Sequence, residues 1–223
     1  MTVVSVVFDV GETLLDDTRE FGAWADWIGI PRHTFSAVLG AVTASGRDNA
    51  DTFQYFRPGF DLAAERERRE QAGLGEVYGE ADLYPDARPA LTKLREACLW
   101  VGIAGNQTAR AGRILRDMSL PADLIVTSAD WGVAKPSPEF FRRVIDVAPG
   151  RPDEIVYVGD HRDNDIAPAK ADVCRAQASR FRRGPWGHLW GDDPLIAKLA
   201  DWQITSLTEL PGLLAPELRR TAD

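Results

Sequence analysis

From about residue 86 onward the chain repeats one pattern: an apolar run of strand length, then an amphipathic helix, then another apolar run. The runs are 99–104 (LWVGIA), 123–128 (DLIVTS) and 154–160 (EIVYVGD), and an earlier one, 3–8 (VVSVVF), opens the chain. Between them Ala87, Leu91, Leu94 and Cys98 share one helical face, as do Ala111, Ile114, Leu115 and Met118, and Phe141, Val144, Ile145 and Ala148. Spacings of three and four residues are those of a helix burying one stripe. Asp86 is the expected cap of the first helix, and Ser137 followed by Pro138 that of the third. A shorter helix is expected over 165–171, then a helix after Asp193-Pro194 and a strand near 202–205. Strands alternating with helices at this spacing predict an α/β fold: a Rossmann-like parallel sheet with helices on both faces. In such sheets the chemistry gathers at the C-terminal ends of the strands. Asp9, Asn106, Ser128 and Asp160 each stand just past a predicted strand and are expected on that rim.

Residues 19–82 interrupt the alternation. Phe21, Trp24, Ala25 and Ile28 form one helical stripe, Phe35, Val38, Leu39 and Val42 another, and DLAAERERREQAG reads as an exposed, charge-laced helix ending at Gly73. The expected organisation is therefore a core of residues 1–18 and 83–223 with a small helical domain, 19–82, inserted after the first strand.

Charge and composition exclude several classes of function. The net charge of −8 repels polyanions, so nucleic acid is not an expected partner. The basic run Arg180–Gly184 is read as a solvated loop. No apolar stretch approaches the ~20 residues of a membrane span, and the N-terminus runs straight into a strand, so no leader and a cytoplasmic location are expected. Cys98 and Cys174 lack metal-type spacing and are expected as reduced thiols. His33, His161 and His188 offer no pair at zinc-ligand spacing. Trp186 and Trp190 are read as packing a loop, with a subunit interface as the alternative; the chain is expected as a monomer or homodimer.

Three separated signals form a chemical set: Asp9, followed by Thr13; Lys135 in GVAKPSPEFF; and Asp160 with Asp165 in VGDHRDND. Carboxylates on one rim suit a hard divalent cation such as Mg²⁺. A lysine among them balances the charge of a carboxylate nucleophile and of a phosphoryl group, and one carboxylate can attack phosphorus to give an acyl phosphate.

The order and context of these motifs resemble the haloacid dehalogenase-like hydrolase superfamily over nearly the whole chain. Its first motif, Asp-x-Asp-Gly-Thr, aligns with Asp9-Val10-Gly11-Glu12-Thr13; its third with Lys135; its fourth with Gly159-Asp160 and Asp165. The insert resembles the helical cap of one branch, and SLTELPGLL the terminal strand-to-helix segment. The resemblance implies Asp9 as nucleophile and metal ligand, Gly11 as a backbone-carbonyl ligand, Asp160 as a direct ligand of Mg²⁺ and Asp165 close by. It implies Lys135 as the charge-neutralising, substrate-facing lysine, with Gly105 and Asn106 at the phosphate-binding second motif. The activity implied is hydrolysis of a small phosphate ester or acyl phosphate.

Two positions depart from the pattern. Gly11 stands where relatives carry an acid/base carboxylate, whose loss commonly costs ~10²–10⁴-fold in rate, and Gly105 stands where they carry a Ser or Thr. Glu12 is a candidate replacement acid, weighed against a solvent-facing turn residue; Asn106, Gln107, Thr108 and Ser128 are candidates for the missing phosphate contact. Two alternatives stay open: a catalytically impaired, Mg²⁺-binding interaction protein, and a dehalogenase-type hydrolase, which the acidic GDHRDND loop argues against.

Overall fold

The computed structural model describes residues 3–171, 177–181, 185–189 and 193–218. Cys174, Arg182, Arg183 and Trp190 lie outside the described residues, as do the side chains of Arg180 and Trp186. Two compact units divide the chain: Met1–Asp16 with Gly79–Asp223, and Asp17–Tyr78.

The first unit is built on six strands, β1 Ser5–Phe8, β2 Trp100–Gly105, β3 Leu124–Thr127, β4 Ile155–Gly159, β5 Gln177–Phe181 and β6 Trp202–Ile204. They form one sheet in the order β3-β2-β1-β4-β5-β6, every neighbouring pair parallel. A parallel sheet must be covered on both faces, so its central strands are apolar throughout rather than alternating. All four residues of β1 and all five of β4 are buried. Residue parity then separates the two faces. Val7 and Tyr157 pack with Phe140, Phe141, Val144, Ile166 and Ala169 in one cluster, while Val6, Phe8, Val156 and Val158, of the opposite parity, are equally buried.

The second unit, Asp17–Tyr78, holds four helices: α1 Thr18–Ile28, α2 Arg32–Ala44, α3 Asp51–Phe56 and α4 Leu62–Gln71. Its core joins Trp24, Ala25 and Ile28 of the first expected stripe and Phe35 and Leu39 of the second to Phe53 of α3, an element the sequence pattern did not single out; Val38 and Val42 are not part of this cluster. Phe53 stacks on Phe60 at 4.7 Å and meets Trp24 edge-on at 5.0 Å. The α4 helix is not the uniformly exposed rod its charges suggest. Arg69 is buried, reaches Glu20 of α1 at 2.7 Å and lies 4.0 Å over the Trp24 ring. The aliphatic stem and flat guanidinium make this possible: one side chain fills apolar space and neutralises a buried carboxylate.

The remaining helices belong to the sheet unit: α5 Ala87–Glu96, α6 Ala109–Asp117, α7 Ser128–Trp131, α8 Pro138–Val147, α9 Ala167–Lys170, α10 Pro185–Leu189, α11 Pro194–Leu199 and α12 Leu210–Leu218. Ser137 caps α8 through Glu139 N, with Pro138 in its first turn. Asp86 does not cap α5. Its carboxylate accepts from Ser206 Oγ at 2.8 Å and Leu207 N at 3.0 Å, tying the start of α5 to the turn before α12. The expected helix over 165–171 is shorter, because a wide turn over Arg162–Ile166 precedes α9. No helix among the described residues is long and apolar enough to cross a membrane.

Candidate active site

Asp9 and Asp160 sit at the C-terminal ends of parallel strands, and Lys135 and Asp165 reach them from the segments that follow. Asp9 follows β1, held in line by its N–H on Val158 O at 2.8 Å. The next six residues fold back on themselves. Leu14 and Leu15 both donate to Val10 O, Glu12 N donates to Leu15 O at 2.7 Å, and Leu15 bridges to Leu83. Asp160 follows β4, Gly105 ends β2 and Asn106 follows it. Lys135 lies in the segment between α7 and α8.

Asn106 fixes that segment. Its Nδ2 donates to Lys135 O at 2.9 Å and its Oδ1 accepts from Lys135 N at 2.8 Å. The side-chain amide is thus spent on the Lys135 backbone. Thr108 is also committed, accepting from Ala111 N as the cap of α6, and Ser128 Oγ donates to Gln107 O at 3.2 Å.

The Lys135 ammonium lies between two carboxylates, 2.5 Å from Asp9 Oδ1 and 2.6 Å from Asp165 Oδ1. Its side chain is 3% exposed. The Tyr157 ring lies 5.6 Å away, and the Tyr157 hydroxyl donates to Ala104 O at 2.8 Å. Burial alone would pull the lysine pKa down, but the charges of Asp165 and Asp9 overcome it and hold the group well above its ordinary value. Asp9 moves the other way from a usual carboxylate: desolvation and the nearby Asp165 raise it to about 6, against the opposing pull of Lys135. Asp160 is raised well above the carboxylate range by burial and by Asp165, Asp9 and Glu12.

The wide turn after β4 settles which carboxylate of DHRDND faces inward. Asp165 is fully buried, with Oδ1 on Lys135 and Oδ2 accepting from His161 N at 2.9 Å. Asp163 turns outward to Arg162 at 2.7 Å. His161 Nδ1 accepts from Asp163 N and Asn164 N, both at 3.1 Å, so the ring caps the turn in its neutral form. Its pKa is pushed down to about 4, chiefly by burial. Gly159 is there for space: a Cβ would stand 2.5 Å from Asp165 Cγ. At Gly105 a Cβ would stand 2.8 Å from Asp9 Oδ1. Neither steric role was visible in the sequence, where Gly105 read as a missing hydroxyl and Gly159 as part of the fourth motif.

Glu12 is not a solvent-facing turn residue. It is 4% exposed, at a backbone φ of 55°, and its Oε2 accepts from Tyr84 Oη at 2.6 Å. Tyr84 was not singled out in the sequence. Its pairing with Glu12 spans 72 residues, and no local pattern announces it.

The donor set fits a hard divalent cation. Asp9, Asp160 and Asp165 each place a carboxylate oxygen within 4.8 Å of the others, all three residues are buried, and the ligand atoms on offer are oxygens. Asp160 Oδ2 is buried with no hydrogen-bond partner among the described residues, as is Thr13 Oγ1. A buried carboxylate oxygen left bare is costly unless something absent from the chain meets it. Asp165 Oδ1 meets Lys135 and its Oδ2 accepts from His161 N–H, whereas Asp160 Oδ2 has no partner among the described residues, so Asp160 offers the barest oxygen of the three.

The family model described as a haloacid dehalogenase-like hydrolase matches residues 4–171. The chain is 32% identical to a ribulose-1,5-bisphosphate 5-phosphatase of Halopiger xanaduensis, over 75% of this chain and 80% of that protein. It is 34% identical to a glyceraldehyde 3-phosphate phosphatase of Methanocaldococcus jannaschii, over 41% of this chain and only 37% of the relative's length. Among solved structures, a phosphatase of Thermococcus onnurineus superposes with a TM-score of 0.61 at 25% identity, covering 95% of this chain and 98% of that one.

Proposed function

The chain belongs to the haloacid dehalogenase-like hydrolases, and from that footing we propose that it is a Mg²⁺-dependent phosphatase acting through an aspartyl-phosphate at Asp9. The observation that carries this reading is the buried Asp9 carboxylate held by Lys135 at 2.5 Å beside Asp160, whose Oδ2 has no hydrogen-bond partner among the described residues. A carboxylate so held is oriented before any substrate arrives, which is what a nucleophile at the end of a strand requires. Curated relatives named as phosphatases of phosphorylated sugars support a small phosphorylated metabolite as substrate.

Asp9 and Asp160, with the Gly11 carbonyl, are the groups proposed to hold Mg²⁺, which would supply positive charge to the phosphoryl oxygens as they gain charge. An Asp9 carboxylate oxygen attacks phosphorus; the P–O bond to the leaving group breaks and its oxygen departs with the electron pair. Lys135 balances the charge accumulating around Asp9. Water then attacks the phosphoryl group, phosphate leaves and the carboxylate is regenerated. Gly11 provides no proton to the leaving oxygen and no base for the water. Rates therefore depend steeply on the leaving group, and acyl phosphates and activated esters turn over best. The helical unit Asp17–Tyr78 is proposed as the cap that selects the substrate.

The test is phosphate release from phosphomonoesters and acyl phosphates, with and without chelator, in wild type, Asp9→Asn and Gly11→Asp. The expected result is turnover abolished by chelation and by Asp9→Asn, with Gly11→Asp accelerating substrates that have poor leaving groups. Wild-type turnover unaffected by Asp9→Asn would overturn the assignment.

A further inference from the structure

We propose that Asn106 is a positioning residue for Lys135: its side-chain amide serves the reaction by fixing the Lys135 main chain, and with it the ammonium, rather than by holding the phosphoryl group. The kinetic consequence rests on the phosphatase reading above; the placement of the ammonium stands without it.

Residues 132–137 join α7 to α8, and Lys135 is the one buried residue among them. A main-chain N–H and C=O taken out of water both need partners. Here a single side chain meets both: Asn106 Nδ2 donates to Lys135 O at 2.9 Å, and its Oδ1 accepts from Lys135 N at 2.8 Å. Turning the amide over would set oxygen against oxygen and N–H against N–H, so only this orientation satisfies Lys135. One bond would leave the segment free to swing about it. Two bonds from a residue 29 positions away fix its orientation as well as its distance.

The anchor is itself held. Two residues before Asn106, Ala104 O accepts from the buried Tyr157 hydroxyl at 2.8 Å. One residue after it, Gln107 O accepts from Ser128 Oγ at 3.2 Å, and Thr108 then caps α6. Asn106 thus extends β2, which pairs directly with the β1 strand that delivers Asp9. At the far end of the lysine the ammonium meets Asp9 Oδ1 at 2.5 Å and Asp165 Oδ1 at 2.6 Å. Asn106 therefore reaches the nucleophile through Lys135. A shift of about 1 Å in such a group can cost about 100-fold in rate, and losing the amide removes both main-chain bonds at once. Asn106 is exposed, so alanine in its place opens no cavity in the core.

The experiment pairs NMR of the lysine ammonium groups in isotopically labelled full-length protein with steady-state turnover of acetyl phosphate. A buried, ion-paired ammonium exchanges its protons slowly enough to give its own resonance, and that of Lys135 is the one absent from Lys135→Arg. In Asn106→Ala it is expected to shift and broaden while thermal melting is little changed. The expected kinetics are a kcat lower by about tenfold or more with KM within about twofold. In a Lys135→Arg background, where the ammonium is already gone, Asn106→Ala should cost under about twofold. An unchanged Lys135 resonance in Asn106→Ala overturns the proposal, whether or not the protein releases phosphate. A raised KM at unchanged kcat also overturns it, because that is what loss of a direct phosphoryl contact gives. Turnover that survives Asp9→Asn overturns the phosphatase reading alone, and the resonance still decides what Asn106 does to Lys135.

Discussion

Replacing Lys135 with methionine removes one charge from a buried group of three while keeping the length and most of the volume of the side chain. The ammonium lies 2.5 Å from Asp9 and 2.6 Å from Asp165, with side-chain exposures of 3%, 10% and 0%. Removing one partner of a buried ion pair leaves uncompensated charge, at a cost of about 3–5 kcal/mol. Here two carboxylates lose the same partner, which places the expected loss in metal-free protein at neutral pH in the upper half of that range. The loss depends on pH, because a carboxyl group can avoid the cost by keeping its proton. Asp9 already has its pKa raised from 3.8 to about 6. Without the opposing pull of Lys135 it rises further. A carboxyl group raised in the folded state contributes stability that is fully present below its unfolded pKa and lost as pH rises through its folded value. The deficit of Lys135→Met relative to wild type is therefore smaller near about pH 5, where native Asp9 is largely protonated in both proteins and the Asp165 contact is the main loss, than near about pH 8. Urea unfolding in chelator at the two pH values measures it. Added Mg²⁺ is expected to restore part of the stability at the higher pH. A deficit equal at both values, or under about 1 kcal/mol at the higher one, is what an exposed pair would give and would refute the reasoning.

At Gly105, serine would place Cβ 2.8 Å from Asp9 Oδ1 and 3.0 Å from Val10 Cγ2. Gly105→Ser is therefore expected to destabilise by about 1–3 kcal/mol in thermal melts and to slow phosphate release, although it restores the hydroxyl of the family motif; faster release with unchanged stability would contradict this. In the helical unit, Arg69→Met leaves Glu20 buried without its guanidinium, for an expected loss of about 3–5 kcal/mol. A double-mutant cycle with Glu20→Gln should return most of that as coupling, and coupling under about 0.5 kcal/mol would make the pair incidental.

The sheet was legible where its strands are buried on both faces. VVSVVF, LWVGIA and EIVYVGD are dominated by apolar residues because their strands are central and covered on both sides, and LIVT of the edge strand β3 is apolar although three of its four residues are half-buried. The fifth strand, Gln177–Phe181, reads QASRF, carries no such run, and passed for part of a basic loop; its place is set by pairing with β4 and β6. Asp9, Lys135, Asp160 and Asp165 were readable because a strand end or a capped helix start marks each one locally. The partners of Glu12, Arg69 and Asp86 were not, since they stand 72, 49 and 120 residues away in the chain. Local pattern reports which way a segment turns, and such pairings are decided only when the segments meet. Gly159 belongs to the same class, its reason being the Asp165 carboxylate that folds back against it.

Asn106 holds the Lys135 main chain at both its N–H and its carbonyl, while two aspartates hold the ammonium at the other end. A lysine is ordinarily a flexible tether, and stilling one forfeits up to about 2 kcal/mol of rotational freedom. Pinned at both ends, Lys135 is a strut whose freedom is surrendered once, when the chain folds. No turnover has to still it again.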